Sequence, residues 1–198
     1  MATACGWQVR RADVEASAPV TDRWLVIGRS DIREDLVEVR RAWLRGLDSG
    51  ATAMVLSFAA YRQSLDASLS VGTVVAADLH RYPGAGGRVI VGERYGDARP
   101  LGPDEAVEVA TVSDAASSTA TASSVRSPAI GSDHTGSLPI ASERTDDAVA
   151  VLLAASGGHP VAVSAEWTAS GLVPLAVFLS DRVLDIGPRA DVSFVSAA

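Results

Sequence analysis

The sequence predicts a mainly β protein: an antiparallel sheet or barrel-like unit, one short helix, and a flexible Ser/Ala/Thr-rich insert. Three observations predict it. Short apolar runs alternate with period two and are closed by Gly, Pro or Asp turn signals. One Ala/Leu stretch opens on paired aspartates and stops at paired glycines, the punctuation of a helix. A tract of Ser, Ala and Thr holds too little large apolar surface to offset the entropy of ordering it. On this reading residues 1–110 form a β-rich N-terminal part, 111–145 a flexible linker or insert, and 146–198 a short helix plus β-meander.

Taken in order, "DRWLVIG" (22–28) has the composition of a buried strand closed by a Gly turn, with Trp24 in the core. The stretch 31–47 carries two patterns: Ile32, Leu36, Val39, Trp43 and Leu47 fall at helical spacing, while Val37, Val39, Arg41 and Trp43 alternate as in a strand. The turn signal "LDSG" (47–50) and the run "ATAMVLSFAAY" (51–61) of matching length favour a hairpin. "GTVVAADLHRYPG" (72–84) and "RVIVG" (88–92) read as further strands separated by a Pro-Gly turn, which makes a five- or six-strand antiparallel unit over about residues 20–95.

"TVSDAASSTATASSVRSP" (111–128) is the flexible insert, and "AIGSDHTGSLPI" (129–140) a weak strand-turn-strand pattern. The helix is expected at "DDAVAVLLAASGG" (146–158), where Asp146 and Asp147 meet the free amides of its first turn. Gly157 and Gly158 supply the positive φ that releases the chain. Val161, Val163, Ala165 and Trp167 then alternate with Ala162, Ser164 and Glu166, "TASG" (168–171) turns, "LVPLAVFLS" (172–180) returns with both faces apolar, and "DRVLDIG" (181–187) adds a last short strand. Trp167 is the largest core residue expected there.

Composition narrows the function. At 198 residues with 47% hydrophobic but only 5% aromatic residues, the core is modest and built from Ala, Val and Leu. All 17 basic residues are Arg and neither Lys nor Asn occurs, a mark of high-GC, bacterial-type coding rather than of guanidinium chemistry. A formal net charge of −7 disfavours direct nucleic-acid binding. Cys5 is the lone cysteine, so no internal disulfide forms and the expected setting is cytoplasmic. The longest apolar run, "AVAVLLAA" (148–155), is too short to span a bilayer, so no membrane association is expected.

Two stretches, 41–84 and 152–186, resemble the region C-terminal to the zinc finger in bacterial SWIM zinc-finger family proteins. The similarity rests on Trp43 before a turn, "LSF" (56–58), "SLD" (64–66), "GT" (72–73), "ADL" (77–79), "YPG" (82–84), "SGG" (156–158), "EW" (166–167) and "PLAVF" (174–178), with a fainter "GSLPI" (136–140). The family's finger uses a Cys-x-Cys and a Cys-x-His pair as zinc ligands. This chain has neither, so the zinc-dependent role is not carried over. The resemblance implies an accessory or protein-interaction region with an unidentified protein partner; with the zinc-ligand pairs missing, no cofactor and no metal are expected.

No reactive constellation emerges from the residues. The candidate interaction or structural residues are Trp24, Trp43, Gly157, Gly158, His159, Glu166 and Trp167. The tryptophans read as core anchors in a chain short of Phe and Tyr, or as an exposed aromatic platform. His159 reads as a residue closing the helix C-terminus, or as a ligand contact. "GAGG" (84–87) is a turn, since no phosphate-binding pattern or helix follows it. The expected function is non-enzymatic. The alternatives are a small-ligand-binding or hydrolytic β-barrel enzyme using His159 and Glu166, and a decayed gene fragment. Unpaired strand edges remain available to a partner strand.

Overall fold

The computed structural model describes residues 9–60, 63–84, 86–102, 105, 123–126, 146–159, 161–168 and 171–189. A short helix α1 (Arg11–Glu15) precedes six strands: β1 (Val20–Glu34), β2 (Val37–Gly46), β3 (Thr52–Ala60), β4 (Thr73–Arg81), β5 (Arg88–Arg94) and β6 (Arg99–Pro100). β7 (Ser123–Arg126), α2 (Asp146–Ser156), β8 (Ala162–Thr168), β9 (Gly171–Phe178) and β10 (Val183–Asp185) follow. The mainly β class is as the alternation predicts.

The first sheet closes on itself. β1 is 15 residues long, and its two halves have different partners: Val20–Leu25 pair antiparallel with β4, Trp24–Glu34 antiparallel with β2. With β2–β3 and β4–β5 also antiparallel and β3–β5 parallel, the order runs β1-β2-β3-β5-β4 and returns to β1. A five-stranded, partly open Greek-key barrel of this kind is the architecture of the OB-fold. One parallel contact thus joins the antiparallel set that the sequence predicts, because a ring of five strands cannot alternate direction throughout.

Two of the expected boundaries change. Gly28 does not end a strand: β1 runs on through it, with a register shift between Val26 and Gly28, and the turn comes at Asp35-Leu36, where Asp35 takes φ 55°. Of the two patterns in 31–47 the strand one holds, and the hairpin favoured there forms one turn earlier as well, since Ile32 and Val39 are cross-strand partners rather than neighbours on a helix face. Within the stretch expected as the insert, Ser123–Arg126 pair with β8 as β7; backbone hydrogen bonding to an existing edge offsets the shortage of apolar surface there. The rest of 106–145, including the pattern expected at 129–140, lies outside the described residues.

Alternation sorts β1 into two cores. Trp24 and Val26 point inward with Leu44, Val55, Leu79 and Val89, and Leu69, from the segment between β3 and β4, plugs the same interior. Leu25 and Ile27 point outward, where with Trp43 and Val74 they are covered by Leu175 of β9. The second sheet, β10-β9-β8-β7, therefore packs on the outer wall of the barrel, and the two parts share this second core. Polar ties fix the contact: the Asp31 amide donates to the Pro188 carbonyl at 2.8 Å, Arg29 meets Asp185 at 3.3 Å, and the Ser164 hydroxyl donates to the Ile27 carbonyl. Among the described residues no helix is long and apolar enough to cross a membrane.

Candidate functional site

The barrel is incomplete on the side opposite β1. β3 and β5 pair only at Met54↔Arg88 and Val55↔Val89, after which the strands part and a cleft of about 390 Å³ opens between them. The cause lies in β5. Its pairing with β4 shifts register between Ala77↔Arg94 and Leu79↔Val91, so an extra residue is accommodated around Gly92-Glu93 and the strand bends. At Gly92 a Cβ would lie 2.7 Å from His80 Nε2, so a side chain there would have to displace the imidazole. The His80 ring crosses the glycine, and its Nδ1 lies 2.9 Å from the Ser17 carbonyl just beyond α1, which brings Arg11 to the rim of the cleft.

The alternation of backbone groups shows what lines the seam. The Met54 amide donates to the Gly87 carbonyl at 2.9 Å, so Met54, Leu56, Phe58 and Ala60 direct their backbone groups towards β5. The Tyr82 amide donates to the Arg88 carbonyl at 3.0 Å, so Arg88 and Ile90 face β4 while Val89 and Val91 face β3. Past Val55↔Val89 no further residue pair joins β3 to β5 among the described residues, and the amides of Phe58 and Val91 are the next to face the seam.

The side chains around this gap are three arginines, one carboxylate and two aromatics. Arg88 lies over the Tyr82 ring, 4.4 Å from its centroid, and forms no ion pair among the described residues. Arg94 donates to the Ser68 hydroxyl at 2.8 Å. Arg11 is held by Glu15 at 2.7 Å. Burial works to raise the Asp66 carboxyl, but the Ser68 hydrogen bonds and the nearby Arg94 and Arg40 hold it below the usual carboxylate range. Phe58 is 55% exposed and Leu36, at the tip of the β1–β2 hairpin one position beyond the Val37↔Ala60 pair, is 79% exposed. Exposed Phe58, which lines the cleft, thus stands beside the open strand edge.

The residues singled out by sequence lie elsewhere. Trp24 is inside the barrel, its indole N–H donating to the Ala77 carbonyl at 3.0 Å, while Trp43 is on the outer wall at the contact with β9. The two are on opposite sides of the wall and form no common platform. Gly157 and Gly158 end α2 with φ 54° and 83°. The His159 backbone amide, rather than its ring, donates to the Ser156 carbonyl, and the side chain is exposed. Glu166 accepts from Arg41 at 2.9 Å and from Ser30 at 3.3 Å, joining β8 to the barrel. Trp167 pairs with Leu172 along the backbone; the expectation that its indole fills the core falls outside the described side chains. No hydrogen bond or ion pair among the described residues links His159 with Glu166.

Sequence reading passed over Phe58, Tyr82, Arg88 and Arg94. One available signal was that Phe58 shares the outward parity of Met54 and Leu56; the gap itself depends on a bend that no local pattern announces. Charge adds a second signal. Residues 1–100 hold 13 arginines against 12 acidic residues and 101–198 hold four against 12, so the barrel half is near neutral at +1 and the second half carries −8. Among the described residues no group of three or more His, Cys, Asp or Glu is placed to hold a metal ion. Set against protein families, characterised proteins and solved structures, the chain matches none. Function has therefore to be argued from the barrel itself.

Proposed function

We propose that the chain is a non-enzymatic accessory module, cytoplasmic and without cofactor, that makes protein contacts through its barrel. The observation that supports this most is the seam: the edges of β3 and β5 part beyond Val55↔Val89, with exposed Phe58 lining the cleft between them. Strand edges left open beside apolar surface are what a partner chain extends. The role also agrees with what the resemblance to the C-terminal part of SWIM zinc-finger proteins implies. The ionisable groups point the same way, because the best-buried carboxylates are engaged in holding the fold. Asp22 accepts from the Asp48 and Ser49 amides and the Ser49 hydroxyl, Asp31 from Arg40, and Glu166 from Arg41 and Ser30. A hydrolytic site on His159 and Glu166 gains no support from a carboxylate already taken up in this way. Direct nucleic-acid binding is not part of the reading, given the net charge of −7.

The test is capture from bacterial lysate on the purified chain, with mass spectrometry of what is retained and metal content measured on the same sample. A specific, saturable protein partner is expected, without stoichiometric zinc. Saturable DNA binding at physiological salt, or no partner at all, would overturn the proposal.

A further inference from the structure

We propose that the seam between β3 and β5 takes an extended acidic peptide of the partner as an added strand, its backbone pairing with the Phe58 and Val91 amides and its carboxylates meeting Arg88 and Arg94. This rests on the interaction-module reading above and names the site and chemistry of the contact. Each element of the seam serves such a ligand. Its walls are two strand edges whose ladder stops at Val55↔Val89, so an inserted backbone finds hydrogen-bonding groups on both sides. Its lining is three arginines against the single carboxylate of Asp66, a balance that attracts negative charge. Its volume of about 390 Å³ accommodates a few side chains, and exposed Phe58 offers a surface for the apolar residues that alternate with the acidic ones.

Single-stranded nucleic acid is the other polyanion a barrel of this architecture raises. It is less well served here. An unpaired strand edge offers nothing specific to a sugar-phosphate backbone, and the face of Tyr82 on which a base would stack is covered by Arg88. Arg88 and Arg94 are the cleft's two guanidiniums without a carboxylate within ion-pair distance among the described residues, fewer than the about 6–10 phosphate contacts of a typical nucleic-acid footprint.

The experiment uses the full chain and a fluorescein-labelled peptide of about six residues, one strand length, alternating Glu and Val. Anisotropy is recorded at physiological ionic strength beside a Lys/Val peptide and a short oligo-dT, and amide exchange is followed by NMR. The Glu/Val peptide is expected to saturate and to slow exchange at the Phe58 and Val91 amides, with neither control binding. R88E/R94E is expected to weaken binding at least tenfold while leaving the circular dichroism spectrum unchanged, and R33E, away from the cleft, to leave it within twofold. No saturation by Glu/Val, binding that R88E/R94E leaves intact, or preference for oligo-dT would each overturn the inference. Lysate capture on the same R88E/R94E protein separates the two proposals: a partner retained equally by both proteins removes the seam while the module reading stands, and no partner on the unmodified chain removes the module reading itself.

Discussion

Gly28 of β1 and Leu175 of β9 touch with no room for a side chain between them: a Cβ at Gly28 would lie 2.6 Å from Leu175 Cβ and 2.8 Å from its Cδ1. The second sheet reaches the barrel wall through this contact, beside Leu25 and Ile27. Gly28→Ala is therefore expected to destabilise by about 2 kcal/mol through overpacking, and Leu175→Ala, which empties the same spot, by about 3 kcal/mol. Leu175→Ala removes the Cγ and Cδ1 contacts but keeps the Cβ that would lie 2.6 Å from the added methyl, so only part of the overpacking is relieved and the double variant should lose less than the sum by about 1 kcal/mol at most in urea unfolding. Strict additivity would mean that the two sheets do not meet here.

The two described tryptophan side chains should respond differently to loss of their N–H. Trp24 is fully buried and donates to the Ala77 carbonyl at 3.0 Å, so Trp24→Phe removes a donor and strands an acceptor inside the barrel. Trp43 is 5% exposed and its Nε1 has no hydrogen-bond partner among the described residues, a group already desolvated without compensation there. Both substitutions remove similar volume, which leaves the hydrogen bond as the difference. Trp24→Phe is expected to cost about 1–2 kcal/mol more than Trp43→Phe, measured by thermal or urea unfolding of the two variants. Equal losses would mean that the Trp24 hydrogen bond contributes nothing net.

How far the sequence reveals all this depends on the range of the interactions. Strands β2 to β5 and β8 to β10 are legible because alternation and turn residues are local, and α2 is legible because its start and stop are written in Asp146-Asp147 and Gly157-Gly158. Barrel closure is not legible. It depends on β1 changing partner near Trp24 and Leu25, where one residue pairs with both Gly46 and Val75 in the case of Trp24, and a period-two pattern is the same whichever strand lies alongside. Ile32 and Leu36 fall at helical spacing for a related reason: a hairpin tip with a positive φ at Asp35 interrupts the alternation, and the interruption mimics a helix. The seam was the least visible feature, since it arises from a bend at Gly92 that matters only because β3 stands opposite.

Asp31 and Arg40 form a buried pair directly across β1 and β2, with side chains 6% and 11% exposed and two hydrogen bonds of 2.8 Å. Arg40 also donates to the Asp66 carbonyl at 2.7 Å, tying the segment that carries Leu69 into the barrel. Removing the carboxylate leaves a buried guanidinium without its counter-charge, so Asp31→Ala is expected to cost about 3–5 kcal/mol. Replacing both partners with apolar residues, Asp31→Val with Arg40→Met, should recover most of that loss, because a matched ion pair and its desolvation penalty nearly cancel. The recovered stability should not restore the Asp66 tie, so amide exchange over residues 64–70 is expected to stay faster in the double variant. Exchange that returns to normal would show the segment to be held by Leu69 packing alone.

Glu105 sets the response of the barrel to acid. Its carboxylate accepts from Arg99 at 2.5 and 2.8 Å, from the Gly102 amide at 3.0 Å and from Arg23 at 3.0 Å, linking β1 to the chain just past β6. The Arg99 hydrogen bonds first, against the opposing effect of burial, and then the Gly102 amide and the charges of Arg99 and Arg23, hold its carboxyl down to about 2 from an ordinary 4.5. A carboxyl depressed on folding binds its proton more readily in the unfolded chain. The stabilisation is thus fully present above about pH 4.5 and is lost as pH falls towards 2. Arg23 and Arg99 are close to half exposed, so solvent screening reduces the contribution to about 1 kcal/mol. Glu105→Gln should therefore be less stable than the unmodified chain by about that amount at neutral pH, with the difference shrinking below pH 4.5 and vanishing near pH 2. High salt should narrow the gap at neutral pH, because the arginines involved are open to solvent. A difference between the two proteins that stays constant across the acid range would mean that the ion cluster is formed equally in the unfolded chain, and that closure between β1 and β6 is held by the backbone pairs of β4 alone.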